Sequence, residues 1–229
     1  MNQPRAIPFV EVLQDGSFRI NEEAVQFVET LQQPLSIIAC AGAYRTGKSL
    51  FLNRGLLRVE PGKGFAVGNT TNACTKGLWI HTMPIQYAKK NSATGEQEYT
   101  NVLIIDTEGL GAFDANDSHD TKIFALALLL CSYFIYNSVG KIDEDAIGKL
   151  SLVCNVCKQV RASAATNTGE NEPESEKTES TEDETPNKKR KRDSLINNAA
   201  ELSDFFPQFL WILRDFSLLL EDNSGASIT

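Results

Sequence analysis

A complete phosphate-binding loop constrains this chain more than any other feature of its sequence. Residues 42–49 read Gly-Ala-Tyr-Arg-Thr-Gly-Lys-Ser and satisfy the pattern G-x-x-x-x-G-K-[ST]. The apolar residues 35–40 precede this loop, and residues 50–53 continue it with a helix-like pattern. A strand, a loop and a helix in this order bind phosphate, because backbone N–H groups and the helix N-terminus surround the anion. The order therefore predicts a nucleotide phosphate site, with Lys48 at the β- and γ-phosphates and the Ser49 hydroxyl on Mg²⁺.

Composition restricts the fold and its setting. The chain has 229 residues, of which 41% are apolar, and it can bury one sizeable core. A formal net charge of −8 argues against direct binding to nucleic acid. The five cysteines show no framework spacing and favour a reduced, cytoplasmic setting, and we interpret Cys154 and Cys157 as packing residues rather than a zinc site. The longest apolar run, residues 123–136, is too short to span a bilayer, and membrane association stays undecided at this level.

Strand and helix signals alternate along the chain, which predicts an α/β fold. Strands are expected at residues 7–13, 35–41, 78–86, 101–106, 132–137 and 209–216. Helices are expected at residues 22–31, 48–57, 118–131 and 143–161, the first of them capped by Asn21. The Gly- and Asn-rich residues 62–72 are expected to form a mobile loop, and the polar residues 88–99 a connection between two strands.

Composition also divides the chain into four segments. Residues 1–34 form a strand-helix lead-in, residues 35–163 the core around the phosphate loop, and residues 199–229 a C-terminal part. Residues 164–198 almost lack apolar side chains, and we interpret them as a disordered charged insertion. The acidic part of this insertion is followed by a basic cluster, Lys188 to Arg192. The cluster is either part of a solvated loop or an address read by an importin, so a nuclear location is the alternative to a cytoplasmic one.

A carboxylate at the end of a second buried strand completes the pattern of a phosphate site. Residues 102–105 are apolar and end in Asp106, where phosphate-loop proteins place a second Mg²⁺-coordinating group, usually acting through water. Gly109 follows three residues later and would offer its N–H to a γ-phosphate without side-chain obstruction. After a full phosphate loop, this Asp-x-x-Gly pattern supports a site for Mg²⁺ and the γ-phosphate of a nucleotide.

Five ordered motifs resemble the G domain of the guanylate-binding proteins, large GTPases of the dynamin superfamily. They are residues 44–49 of the phosphate loop, Thr-Lys-Gly-Leu-Trp at 75–79, Asp-Thr-Glu-Gly-Leu-Gly at 106–111, residues 123–127 with 136–138, and Leu-Arg-Asp-Phe-Ser-Leu at 213–218. The likeness covers nearly the whole chain. It implies a P-loop NTPase fold, with a mostly parallel central sheet and helices on both faces. It also implies binding of GTP and GDP, Mg²⁺-dependent GTP hydrolysis, and a nucleotide-dependent homodimer formed through the G domain.

The resemblance assigns roles to individual residues. Arg45 corresponds to an internal arginine finger that stabilises the transferring phosphoryl group in a dimer, and Thr75 to the threonine of switch I. Glu108 corresponds to a glutamate of the water network, with a buried salt bridge as its alternative role. The expected catalytic residues are Arg45, Lys48, Thr75 and Glu108, and the expected metal ligands are Ser49, Thr75 and Asp106. The expected nucleotide-binding residues are Gly42, Ala43, Tyr44, Arg45, Thr46, Gly47, Lys48, Ser49, Leu50, Val67, Gly68, Asn69, Asp106, Thr107, Glu108, Gly109, Leu110, Arg214 and Asp215.

The resemblance assigns base choice to Asp215 in the Arg-Asp motif, whereas an Arg-Asp pair by itself is usually a surface ion pair. Guanine presents two N–H donors, at N1 and N2, to one carboxylate, whereas adenine would leave that carboxylate unpaired. GTP is therefore favoured over ATP, and an ATP-using enzyme is the less favoured reading. Ala73 replaces a serine that is common in the family. The chain also ends soon after the Arg-Asp motif, and for that reason the sheet is expected to be incomplete at its C-terminal edge. The alternative function is a catalytically impaired nucleotide-binding module that acts through its interactions, with the nucleus as its setting.

Overall fold

The computed structural model describes residues 3–32, 34–67, 76–92, 95–110, 117–142, 144, 146–151, 153–156 and 206–217. The strands are β1 (Ala6–Val12), β2 (Phe18–Ile20), β3 (Leu35–Gly42), β4 (Leu78–His81), β5 (Ile85–Lys90), β6 (Gln97–Thr107), β7 (Tyr133–Val139) and β8 (Gln208–Arg214). The named helices are α1 (Glu22–Glu29), α2 (Lys48–Phe51) with a π-helical continuation (Leu52–Leu57), and α3 (Asp117–Leu130). Residues 144, 146–151 and 153–156 are also helical. No helix within the described ranges is long and apolar enough to cross a membrane.

The strands form one sheet in the order β2-β1-β4-β6-β3-β7-β8, with β5 paired to the free length of β6. Strands β6, β3, β7 and β8 run parallel to one another at the centre and one side of the sheet. Strands β1, β2, β4 and β5 make antiparallel pairs. The predicted α/β fold with a parallel centre is confirmed, and β8 is the edge of the sheet among the described strands.

Two apolar cores cover the two faces of this sheet. Because successive side chains of a strand point to opposite faces, Ile105 packs in the core beneath α1 and α3, while Ile104 packs in the core beneath α2 and its continuation. The first core contains the edge-to-face pair of Phe124 and Phe134, with ring centroids 5.1 Å apart. The second core includes Leu52 and Phe65. Helices therefore lie on both faces, as predicted, and the carboxyl ends of β3, β6 and β7 meet at one edge.

Most of the expected elements are present with small changes at their ends. The cap of α1 is confirmed, because Ala24 N–H donates to Asn21 Oδ1 at 3.2 Å. The helix expected at residues 143–161 is helical where it is described, up to residue 156. The loop expected at residues 62–72 is described only to residue 67, and the insertion at 164–198 lies outside the described residues.

Three local expectations were wrong. The single strand expected at residues 78–86 is divided into β4 and β5 by the irregular residues 82–84. Residues 88–99 are not a plain connection, because β5 and β6 form a hairpin in which Ala88 pairs with Tyr99. Both strands are mostly exposed there, so no apolar alternation marked them. The second half of the helix at 48–57 is π-helical rather than α-helical, an arrangement that buries Leu52, Asn53 and Leu57 together.

Candidate functional site

The phosphate loop leaves the end of β3 and is held closely by its neighbours. Gly42 has φ +147°, and a Cβ atom there would lie 2.0 Å from the backbone oxygen of Asn137 on β7. On the other side, Tyr44 N–H donates to Leu110 O at 2.8 Å, and Leu110 N–H donates to Gly42 O at 3.1 Å. Gly47 caps α2 with φ +78°. The loop is therefore bounded by β7 and by the segment that follows β6, and its two glycines stand where side chains would collide or be strained.

Lys48 places its ammonium group across this loop. The residue is buried, and its Nζ donates to Ala43 O at 2.9 Å. Burial lowers the pKa of Lys48, and the nearby carboxylates of Asp106 and Glu108 partly offset that effect. Burial also raises the pKa of the neighbouring Cys40 thiol, which stays protonated. A buried cation beside a glycine-bounded loop provides a site for an anion.

Ser49 and Asp106, both expected as metal ligands, are hydrogen-bonded to each other. Ser49 Oγ donates to Asp106 Oδ2 at 2.6 Å, although the residues belong to α2 and β6. Asp106 is fully buried at the carboxyl end of its strand. Hydroxyl and carboxylate oxygens are the ligands that Mg²⁺ prefers, and a pair in direct contact fits one small ion that also binds phosphate oxygens. No group of three or more His, Cys, Asp or Glu side chains that would hold a metal alone occurs among the described residues.

The Glu108 side chain, which follows β6, has two polar contacts. Its Oε2 accepts a bond from Gly77 N–H at 3.1 Å and lies 3.1 Å from Nε2 of His119 at the start of α3. The His119 ring stacks on Phe18, with centroids 5.9 Å apart. The buried pairing that the sequence left as an alternative is thus present when His119 is protonated. The sequence did not indicate His119, since nothing local connects it with Glu108.

Arg45 stands at the outer side of the loop. It is exposed, has φ +60°, and places its guanidinium carbon 5.5 Å from the centroid of the Tyr44 ring. A positive φ is uncommon for an arginine, and it turns the side chain away from the path of a regular helix. The proposed finger is therefore at the surface of the site, where a second molecule can reach it.

The Arg-Asp motif meets the phosphate loop at the end of β8. Arg214 Nη1 donates to Thr46 O at 2.9 Å and lies 3.5 Å from Gly47 O. Asp215 follows directly, is exposed, and has φ +53°. Residues that are far apart in the sequence are thus brought to one edge of the sheet, because β7 and β8 extend the parallel order beside β3.

The remaining predicted site residues differ in burial and in the contacts they make. Leu50 and Val67 are exposed, while Leu110 is buried in the first core. Thr107 is buried and donates its hydroxyl to Cys40 O at 3.0 Å, so this side chain joins β6 to β3. A Cβ atom on Gly109 would lie 2.5 Å from Tyr44 Cα, which explains the need for glycine there by close backbone approach. Gly68, Asn69 and Thr75 lie outside the described residues.

The structure adds a buried pair of hydrogen bonds between Asn53 and Phe65, here called the clamp, that the sequence did not indicate. Asn53 Nδ2 donates to Phe65 O at 2.8 Å, and Phe65 N–H donates to Asn53 Oδ1 at 2.8 Å. His81 Nε2 lies 3.0 Å from Lys63 O in the same loop. These bonds hold residues 63–65 just before Val67. An asparagine within a helical pattern does not reveal that its side chain bonds to a distant backbone, since residues 63–65 have no regular pattern that would identify them as its partner.

Comparison with known proteins matches this chain to guanylate-binding proteins. The family model described as "Guanylate-binding protein, N-terminal domain" matches residues 15–184. Guanylate-binding protein 1 of Homo sapiens is 34% identical over 208 residues, which are 90% of this chain and 29% of that protein. Guanylate-binding protein 3 of Homo sapiens is 35% identical over the same shares, and guanylate-binding protein 3 of Mus musculus is 34% identical over 92% of this chain and 28% of its own length. The chain thus spans less than a third of the length of these relatives.

Proposed function

Because this chain belongs to the guanylate-binding protein family, we propose that it binds GTP and hydrolyses it to GDP and orthophosphate. The phosphate loop, residues 42–49, would surround the triphosphate with backbone N–H groups. Water would attack the γ-phosphorus, the bond to the β-γ bridging oxygen would break, and GDP would keep that oxygen.

The observation that carries this proposal is the contact of Ser49 with Asp106 beside the buried Lys48. The hydroxyl and carboxylate are 2.6 Å apart, and Lys48 reaches the loop carbonyl of Ala43 at 2.9 Å. A buried ammonium with a lowered pKa is stabilised by an added anion, because the anion favours its charged form. This arrangement can therefore bind a phosphate together with a divalent cation.

Ser49 and Asp106 would hold Mg²⁺ together with Thr75, which lies outside the described residues. When bound, the ion neutralises charge on the phosphate oxygens. Ser49→Ala removes the hydroxyl that would bind Mg²⁺ and leaves the buried Asp106 carboxylate without its bond to Ser49. The variant should therefore bind GDP more weakly in the presence of Mg²⁺, and EDTA should no longer change its GDP affinity. Calorimetry measures both effects. An EDTA-sensitive Ser49→Ala protein would contradict this assignment.

Asp215 would recognise guanine through the N1 and N2 donors of the base. Its exposure at the end of β8, one residue after a contact with the phosphate loop, leaves its carboxylate accessible to a bound base. Calorimetry with GDP and ADP tests the assignment. Asp215→Ala should remove the preference for GDP while leaving ADP affinity unchanged. If the folded wild-type protein gives no heat with GDP and Mg²⁺, the proposed function is wrong.

Arg45 would act as the arginine finger, and two G domains would pair across the nucleotide face. Its exposed position and its charge, which a guanidinium does not lose, support this role. Glu108 would orient the attacking water through its carboxylate while Gly77 and His119 hold it. Orthophosphate release should then rise per molecule with protein concentration. Arg45→Ala should remove this rise, whereas Arg54→Ala, an exposed arginine next to α2, should keep it.

We propose that the protein is mainly cytoplasmic and, on the basis of composition alone, that an importin binds Lys188 to Arg192 and carries a fraction of the protein into the nucleus. A chain in which these five residues are neutral would then be depleted from nuclei relative to the natural chain. Equal nuclear fractions of the two chains would contradict the importin contact.

A further inference from the structure

A buried amide and a guanidinium converge on one carbonyl group of the phosphate loop. Asn137 is fully buried on β7, and its Nδ2 donates to Thr46 O at 3.0 Å. Arg214 ends β8, and its Nη1 donates to the same oxygen at 2.9 Å. Two strands that follow β3 in the sheet thus hold the same peptide unit.

This contact determines the direction of a neighbouring N–H group. In a trans peptide the C=O and N–H groups point in opposite directions. When Thr46 O is directed at β7 and β8, the N–H of Gly47 is directed away from these strands. Gly47 has φ +78° and lacks a Cβ atom, so this peptide could rotate easily without external bonds.

Packing and polarity both point to a role beyond stability. A Cβ atom on Gly47 would lie 2.2 Å from Arg214 Nη1, so the guanidinium occupies the space beside this peptide. Asn137 Oδ1 is buried, and it has no hydrogen-bond partner within the described part of the chain. A half-satisfied buried amide opposes folding. We therefore attribute the asparagine at position 137 to the hydrogen bond that its Nδ2 group donates, and not to a gain in stability.

We propose that Asn137 and Arg214 are positioning residues that hold the Thr46–Gly47 peptide in its phosphate-binding orientation, and that Arg214 acts on the loop rather than on the base. The inference rests on the proposed binding of guanine nucleotides. It adds Asn137 to the site and gives Arg214 a role different from that of Asp215.

The test compares GDP with IDP, whose base lacks the N2 donors, in calorimetry with Mg²⁺. Asn137→Ser and Arg214→Met should each weaken both ligands by the same factor, about tenfold for a lost hydrogen bond that orders the loop. The ratio of the two affinities should stay unchanged. Arg214→Lys, which keeps a donor, should recover part of the affinity. The double variant should lose less than the product of the single losses, since both donors share one acceptor.

Ser138→Ala is the matched control. It removes the bond from Trp211 Nε1 to Ser138 Oγ, 2.7 Å long, which joins the same two strands without touching the loop. This variant should unfold at a lower temperature with unchanged GDP affinity. If Asn137→Ser behaves like Ser138→Ala, or if Arg214→Met changes the ratio of GDP to IDP affinity, the inference is wrong. A wild-type protein that binds neither ligand would instead overturn the proposed function.

Discussion

Asn53→Ala should destabilise this protein more than any exposed asparagine substitution, because it opens the clamp on Phe65. The asparagine side chain makes two bonds of 2.8 Å with the backbone of Phe65, one as donor and one as acceptor. Both residues are buried. The substitution therefore leaves a buried N–H group and a buried C=O group without partners.

The size of the effect follows from these two groups. Each buried polar group left unpaired costs about 1–3 kcal/mol, and water that enters the vacated space recovers part of this cost. We expect a loss of about 3 kcal/mol in the free energy of unfolding, which lowers Tm by about 6–12 °C for a domain of this size. Because the clamp precedes Val67, a residue expected at the nucleotide, GDP affinity should also fall.

Urea unfolding followed by circular dichroism measures the free energy, and calorimetry measures the affinity. Asn91→Ala is the control, since Asn91 Nδ2 bonds to Glu98 Oε1 at an exposed position of the hairpin. The control should change stability by no more than about 0.5 kcal/mol. The reasoning is refuted if Asn53→Ala costs less than about 1 kcal/mol, or no more than the control.

Three further substitutions test the close approaches and the buried cation. Gly109→Ala should abolish GDP binding, because its Cβ atom would lie 2.5 Å from the phosphate-loop backbone; calorimetry that finds wild-type affinity would contradict this. Gly77→Ala, whose Cβ atom would meet Val10 O at 2.1 Å at φ +76°, should lower Tm well below Gly140→Ala, which has φ +80° and open space. GDP affinity should fall as pH rises through the lowered pKa of Lys48, because the ammonium group of the free protein loses its proton and no longer attracts the phosphates. Lys48→Arg keeps its charge at high pH, so an equally steep decline in that variant would refute this cause.

The parts of the fold that could be predicted from the sequence are those marked by local patterns. The apolar run of β3 and the loop that follows it are contiguous, and the cap at Asn21 acts over three residues. The pairing of Ser49 with Asp106 could also be expected, since parallel strands bring their carboxyl ends to one edge of the sheet. By contrast, the hairpin of β5 and β6 was missed because its strands are exposed on both faces and lack alternation.

The amino-acid sequence alone determined the phosphate loop, the order of strands and helices around it, and the carboxylate at the end of β6, because each of these depends on residues that are neighbours along the chain. Only the tertiary structure decided that Asn53 holds Phe65, that His119 meets Glu108, and that Asn137 shares an acceptor with Arg214. These contacts join residues whose separation is set by strand order and packing. A polar side chain with a distant backbone partner has no periodicity of its own, so its role exists only once the sheet is assembled.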